Sequence, residues 1–251
     1  MLCIVLTNNI KAQEQLVPLS ANLSLPAIIS KNMNASKTAS IVAMDTLPFF
    51  DDFSYAYKSP YPTVNHWKDS SVYVNLGFGT APKSLGVATF DGLNKKGYPY
   101  WLTAPVSTSA PADMLTSRPI NLQKKGSFSY SPIDSVYLSF YYQAMGNGDW
   151  PEPNDSLCLD LFNHNLNKWT KVWGKSGYHP SSTDTNFRIV MIPITDVDYF
   201  DSLFQFRFRN RATTSGSLDH WHIDYVYLNK GRSIVDTLSQ DVAFAYMPTP
   251  L

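Results

Sequence analysis

Phe204-Gln205-Phe206-Arg207-Phe208-Arg209-Asn210 alternates apolar and polar residues without a break. Side chains two apart on a strand share a face, so Phe204, Phe206 and Phe208 point one way and Gln205, Arg207 and Arg209 the other. A strand patterned like this lies in a sheet with one packed face and one wetter face. Val136, Leu138, Phe140 and Tyr142 repeat the pattern upstream. Further short runs, set off by Gly, Pro, Asn and Asp, fall at 72–75, 85–90, 114–120, 157–162, 169–173, 187–194 and 221–228. Together they predict an all-β, antiparallel two-sheet β-sandwich of jelly-roll type. No internal repeat and no convincing amphipathic helix interrupts it.

Composition agrees. The 251 residues suffice for a large buried core, and 44% hydrophobic content excludes wholesale disorder. The 20 acidic residues divide into 18 Asp and 2 Glu, and 17 Pro accompany them. Asp favours turns and caps, Glu favours helix, and Pro breaks it, so a helical bundle and a βα-repeat enzyme are unfavoured. Net charge is zero, without the basic face that nucleic acid or an acidic lipid surface requires. No stretch approaches the roughly 20 apolar residues of a membrane helix.

The ends differ in texture. Residues 1–13, with apolar Leu2 to Leu6 and a cut expected near Ala12, read as the remnant of a secretory signal peptide, although a positive leading segment is missing. No lipobox precedes Cys3. Cleavage would leave Cys158 alone and exclude an intrachain disulfide, which suits an exported bacterial protein. Residues 14–43, rich in Ser, Asn and Ala, read as a leader or linker, 44–232 as the sandwich, and 233–251 as the truncated start of a following segment.

The order of features then becomes recognisable. Leu47-Pro-Phe-Phe-Asp-Asp-Phe53 opens the domain and Trp67 follows. Next come Gly86-Val-Ala-Thr-Phe-Asp-Gly92, Asp113-Met-Leu-Thr-Ser-Arg-Pro-Ile120 and Val136-Tyr-Leu-Ser-Phe-Tyr-Tyr-Gln143. Gly148-Asp-Trp-Pro-Glu-Pro-Asn-Asp-Ser-Leu157, Trp169-Thr-Lys-Val-Trp173, the phenylalanine strand and Asp219-His-Trp-His-Ile-Asp-Tyr-Val-Tyr-Leu228 complete the series. Over roughly residues 45–230 the chain resembles the MAM-like, cleaved-adhesin and choice-of-anchor jelly-roll domains of Bacteroidota proteins exported by the type IX, gliding-motility-associated system. The resemblance implies a concanavalin-like fold on the cell surface, part of a larger protein, recognising carbohydrate or protein rather than catalysing a reaction. Asp followed by Ser or Thr and an apolar residue recurs at Asp45, Asp134, Asp155, Asp201 and Asp236. This resembles a Bacteroidota O-glycosylation sequon, although such dipeptides also make good turns before strands.

Jelly-roll binding domains often carry a structural calcium where the first and last strands meet. Asp51 and Asp52 lie at the first strand, Asp224 sits between Ile223 and Tyr225 in the last, and Asp91 occupies a Phe-Asp-Gly turn. Asp52, Asp91 and Asp224 are therefore the expected calcium ligands. Hydrogen bonding of Asp224 to backbone is the plainer alternative. Asp149, Glu152 and Asp155 read as a solvated acidic turn, and His220 and His222 as hydrogen-bonded imidazoles, because no third zinc ligand is visible. Neither G-x-S-x-G nor H-E-x-x-H occurs, and only Glu14 and Glu152 are available for glycosidase-type chemistry. Cys158, between Leu157 and Leu159, reads as a packed side chain. The expected ligand-binding residues are the loop aromatics Tyr100, Trp101 and Trp150 and the polar strand face Gln205, Arg207 and Arg209.

Overall fold

The computed structural model describes residues 20–25, 44–105, 108–178 and 186–237. The expected signal remnant, Cys3, His179 and most of the expected leader and C-terminal segment lie outside the described residues. In chain order the strands are β1 (Asp45–Thr46), β2 (Phe49–Asp51), β3 (Tyr73–Asn75), β4 (Val87–Phe90), β5 (Ser109–Thr116), β6 (Ile120–Asn121) and β7 (Lys124–Lys125). There follow β8 (Phe128–Ser129), β9 (Tyr137–Ala144), β10 (Ser156–Asn163), β11 (Lys168–Ser176), β12 (Arg188–Pro193), β13 (Gln205–Thr213) and β14 (Trp221–Asn229).

Two antiparallel sheets face each other. One runs β11-β10-β13-β5, and the other runs β12-β9-β14-β4-β3, with β2 also pairing β14. Successive long strands cross between the sheets, β9 to β10 and β13 to β14, which is the connectivity of a jelly roll. The alternation is realised as expected. Phe206 and Phe208 on β13, with Phe204 just before it, meet Leu157, Leu159 and Leu161 of β10 in one buried cluster, joined across the gap by Phe140, Trp221, Ile223, Val226 and Leu228. Phe206 lies edge-on to Phe49 at 5.3 Å, Trp67 at 5.7 Å and Phe208 at 6.0 Å.

The two outer faces differ. On the larger sheet, residues 75–86 fold across the outside of β4, β9 and β14. Thr80 exchanges hydrogen bonds with the Gln143 amide, its N–H to Oε1 at 2.9 Å and its carbonyl from Nε2 at 2.8 Å. The backbone N–H groups of Lys83 and Ser84 both donate to Asp224 Oδ2, at 2.7 and 2.9 Å. His222 and Asp224, which point away from the core, are in consequence fully buried. On the smaller sheet the row of Arg207, Arg209 and Arg211 remains partly open.

Part of the expected linker belongs to the folded body. Asn22 donates its N–H to the Gly97 carbonyl at 2.8 Å, and Leu25 is buried. Gly97 has φ +80°, and a Cβ there would stand 2.4 Å from the Asn22 carbonyl oxygen. At the other end Tyr141 donates its hydroxyl to the Thr237 carbonyl, past the expected boundary at 232.

Phe206→Ala would empty a site lined by three rings. The expected cost is about 3–5 kcal/mol in urea-unfolding stability. A loss below about 1 kcal/mol would show that the sheets do not share this core.

Candidate functional site

The open face is organised by one carboxylate. Asp160 on β10 projects outward beneath Arg207 and Arg209 of β13, its side chain only 3% exposed. Arg209 donates from Nε to Oδ2 at 2.7 Å and from Nη2 to Oδ1 at 3.2 Å, while Arg207 donates from Nε to Oδ2 at 2.9 Å. Charge-assisted, forked contacts of this kind fix side chains that would otherwise be mobile. The Arg207 guanidinium also lies 4.3 Å over the Trp169 ring, and Trp169 packs against Phe162 at 5.0 Å. Arg211 continues the row and donates to the Ser109 carbonyl, while Lys171 stands opposite Asp160 in the register. Among the described residues the face thus carries several cations around the Asp160 carboxylate. Cys158, the buried neighbour of Arg209 in the register, is a packed thiol as expected.

Gln205 departs from the expected set. It is on the same face as the arginines, but it is only 9% exposed and its amide donates to the Ser117 carbonyl at 2.6 Å. The segment after β5 covers it, so Gln205 is committed to joining strand ends rather than standing open with the arginines.

The loop aromatics gather at one end of the sandwich. The loop 92–104 docks on the β13–β14 turn (residues 214–220) through the Trp101 N–H to the Thr214 carbonyl at 3.0 Å. The loop 145–155 docks on the same turn through Met145 N–H to His220 O and His220 N–H to Asp149 O. Gly148 is required there, since a Cβ would meet His220 Cγ at 2.4 Å. Trp101 is 53% exposed and Trp150 is half-buried. Tyr100 serves a buried group as well, because its hydroxyl donates to Asp113 Oδ1 at 2.8 Å.

The expected calcium ligands Asp52, Asp91 and Asp224 do not converge. Asp52 caps its own turn by accepting the Ser54 N–H. Asp91 accepts the Leu93 N–H and lies beside Asp113, whose Oδ2 accepts the Asp91 N–H. Asp224 takes the two loop N–H groups on Oδ2, and Ser84 Oγ stands 2.7 Å from Oδ1, 2.5 Å from the Asp52 carbonyl and 3.1 Å from the Gly86 carbonyl. The Ser84 hydroxyl thus sits at the centre of these oxygens, and N–H donors face the Asp224 carboxylate. That donor set fits a hydrogen-bonded strand carboxylate and does not fit a cation.

A different trio does converge. Glu152, Asp155 and Asp219 bring one oxygen each within 4.8 Å of the others. Asp149, expected with them, instead takes backbone N–H groups from Asp219 and Trp150. Burial, followed by the Glu152 carboxyl, pushes Asp219 up to about 9. Burial and Glu152 likewise raise Asp155 to about 6. The nearby histidines are not ligands. His220 Nδ1 accepts the Asp149 N–H and its Nε2 pairs with Ser217, while His222 pairs with Thr89 through Nδ1 and with the Met145 carbonyl through Nε2. Burial lowers them to about 3 and about 4, so both are neutral. The trio escapes a reading of the sequence because Asp219 is distant from the Glu-x-x-Asp pair. The only hint is that both acidic stretches border strands that a jelly roll makes neighbours.

No family model matches the chain, and no curated protein matches it. Among solved structures it is similar to a xylan-binding domain from CBM 22, 10% identical with TM-score 0.40, over 74% of this chain and 96% of that one. The CBM22-1 xylan-binding domain from Paenibacillus barcinonensis is 10% identical with TM-score 0.37, over 76% and 99%. A carbohydrate-binding module specific for non-crystalline cellulose, CBM28, is 13% identical with TM-score 0.35, over 66% and 88%. With every TM-score below 0.5, the likeness says nothing of what this chain binds. Its class, an antiparallel jelly-roll β-sandwich, rests on its own strand order. No helix among the described residues is long and apolar enough to cross a membrane.

The buried carboxyls set a pH dependence. Burial raises Asp113 and Asp224 each to about 7, and burial with the Asp113 charge raises Asp91 well above the ordinary carboxylate range. The folded protein therefore holds protons that the unfolded chain has released, and stability present at low pH is lost as pH rises from about 4 through about 7. Asp113→Asn keeps the acceptor for Tyr100 and removes the like charge beside Asp91. The expected outcome is a smaller loss of urea-unfolding stability between about pH 5 and about pH 8 than in the parent. An unchanged slope would exonerate the Asp91–Asp113 pair.

Proposed function

We propose that this chain is a non-catalytic carbohydrate-recognition domain of an exported Bacteroidota surface protein. Sugar binds on the open face of the β11-β10-β13-β5 sheet. The observation that carries the reading is the pair of arginines pinned by Asp160, one of them 4.3 Å over the Trp169 ring. Guanidinium groups held in place lose little freedom on binding, and their remaining N–H groups are directed at hydroxyl or carboxylate oxygens of a ligand. The aromatic edge of Trp169 and Phe162 supplies the apolar contact that a sugar ring needs. The surplus of cations on the face favours sugars bearing carboxylates. Trp101 and Trp150 extend recognition to the loop end. The resemblance of its motif order to that of cleaved-adhesin and choice-of-anchor domains supports a surface location and a place within a larger protein.

Tyr98, Tyr100, Trp101 and Leu102 are all exposed within one loop, which favours a second reading: binding of a cell-surface protein by that loop, in a structural or gliding-associated role.

Titration calorimetry against a neutral xylan, a neutral β-glucan and a polyuronate separates the two. Saturable binding is expected, strongest for the polyuronate and weakened by salt. Arg207→Ala and Trp169→Ala are each expected to weaken it about tenfold or more, roughly 1.4 kcal/mol. Binding lost only in Trp101→Ala would move the site to the loop end. Absence of binding to all three polymers would leave the protein-binding reading.

A further inference from the structure

Asp219 is fully buried and Asp155 is 2% exposed. Asp219 Oδ1, Asp155 Oδ1 and Glu152 Oε2 are each closed off from solvent without a hydrogen-bond donor. The other oxygens of the two aspartates are already used: Asp219 Oδ2 accepts the Thr213 N–H, and Asp155 Oδ2 accepts the Glu152 N–H. One oxygen of each of the three carboxylates lies within 4.8 Å of one from each of the others, and each residue has one buried oxygen without a donor. Among the described residues no lysine or arginine forms an ion pair with any of the three. Buried carboxylate oxygens lacking both donor and counter-charge are strongly unfavourable, so the arrangement calls for positive charge between them.

We propose that Glu152, Asp155 and Asp219 bind a divalent cation, with calcium the best match. The donors are all oxygen, and the adjacent imidazoles are committed elsewhere, which selects a hard cation over zinc or copper. Calcium holds oxygens at about 2.4 Å and tolerates irregular shells, so two ligands on opposite sides stand up to about 4.8 Å apart. Magnesium, at about 2.1 Å with a strict octahedron, suits a narrower cage. The ion ties the loop before β10, which carries Trp150, to the β13–β14 turn, on which the loop carrying Trp101 also docks. The site is independent of whether the open sheet face binds sugar.

The test uses the full chain, stripped with EDTA and dialysed, and follows the thermal midpoint as calcium chloride or magnesium chloride is added. Calcium is expected to raise the midpoint by several degrees in a saturable way, and magnesium by much less. Asp219→Asn is expected to abolish the calcium response. Glu152→Gln, at a half-buried position, serves the same purpose should Asp219→Asn fail to fold. Asp224→Asn is expected to retain the response. Three results overturn the proposal. The first is no calcium response in the parent, with Glu152→Gln more stable than the parent, which would indicate a shared proton. The second is a response that survives Glu152→Gln and Asp219→Asn. The third is a response lost in Asp224→Asn and kept in Glu152→Gln, which would put the ion at the junction of first and last strands.

Discussion

The contact between the Asp224 carboxylate and the N–H groups of Lys83 and Ser84 sets the character of the whole sandwich. A carboxylate buried on the outside of a central strand is tolerable only with donors brought to it. The donors come from residues 75–86, which must therefore cross the sheet. β14 prepares the place: its edge partner changes from β4 to β2 around Asp224 and Tyr225, where a bulge gives Tyr225 a φ of +52°. Once the crossing segment is seated, Thr89, Gln143 and His222 lie beneath it as a closed polar row. The outer face of one sheet is thus covered where this segment crosses it, while the outer face of the other stays open along its arginine row.

Buried polar groups on the two sheets are handled by opposite means. The sealed face relies on neutral imidazoles and backbone donors. Burial depresses His220 and His222, so their contribution weakens as pH falls below about 6.5, whereas the raised carboxyls act in the reverse sense. The open face relies on full charges, Asp160 against two arginines. The arginines keep one side open to solvent above the buried carboxylate, while the imidazoles lie under a cover.

Most of the fold was legible because side-chain alternation reports directly on which face is packed. The phenylalanine strand, the run from Val136 and the last strand all lie where the pattern placed them. The strand written as 114–120 begins instead at Ser109. Its opening, Ser-Ala-Pro-Ala-Asp, is small and contains a proline, so it carries no hydrophobic signal. Such a strand is stable because β5 pairs within its sheet only with β13, and an edge tolerates Pro111. The site was less legible for a related reason. Alternation placed Gln205 with the arginines but could not show Ser117 covering it. Asp52, Asp91 and Asp224 are close to features that a jelly roll brings near one another, yet their carboxylates serve three local hydrogen-bond networks. What the chain brings together from far apart, Glu152 and Asp155 with Asp219, depends on how loops dock, and that leaves no periodic trace.

Among the described residues the smaller sheet has two free borders, and each is closed differently. β11 carries Lys168, Lys171 and Lys175 along its length. Beside β5, Ser71 and Asp69 satisfy the Met114 and Thr116 N–H groups that a further strand would need. A second copy of the chain approaching edge to edge meets charge on one side and occupied donors on the other. Copies of the chain can therefore come close to one another without their sheets joining into a fibre.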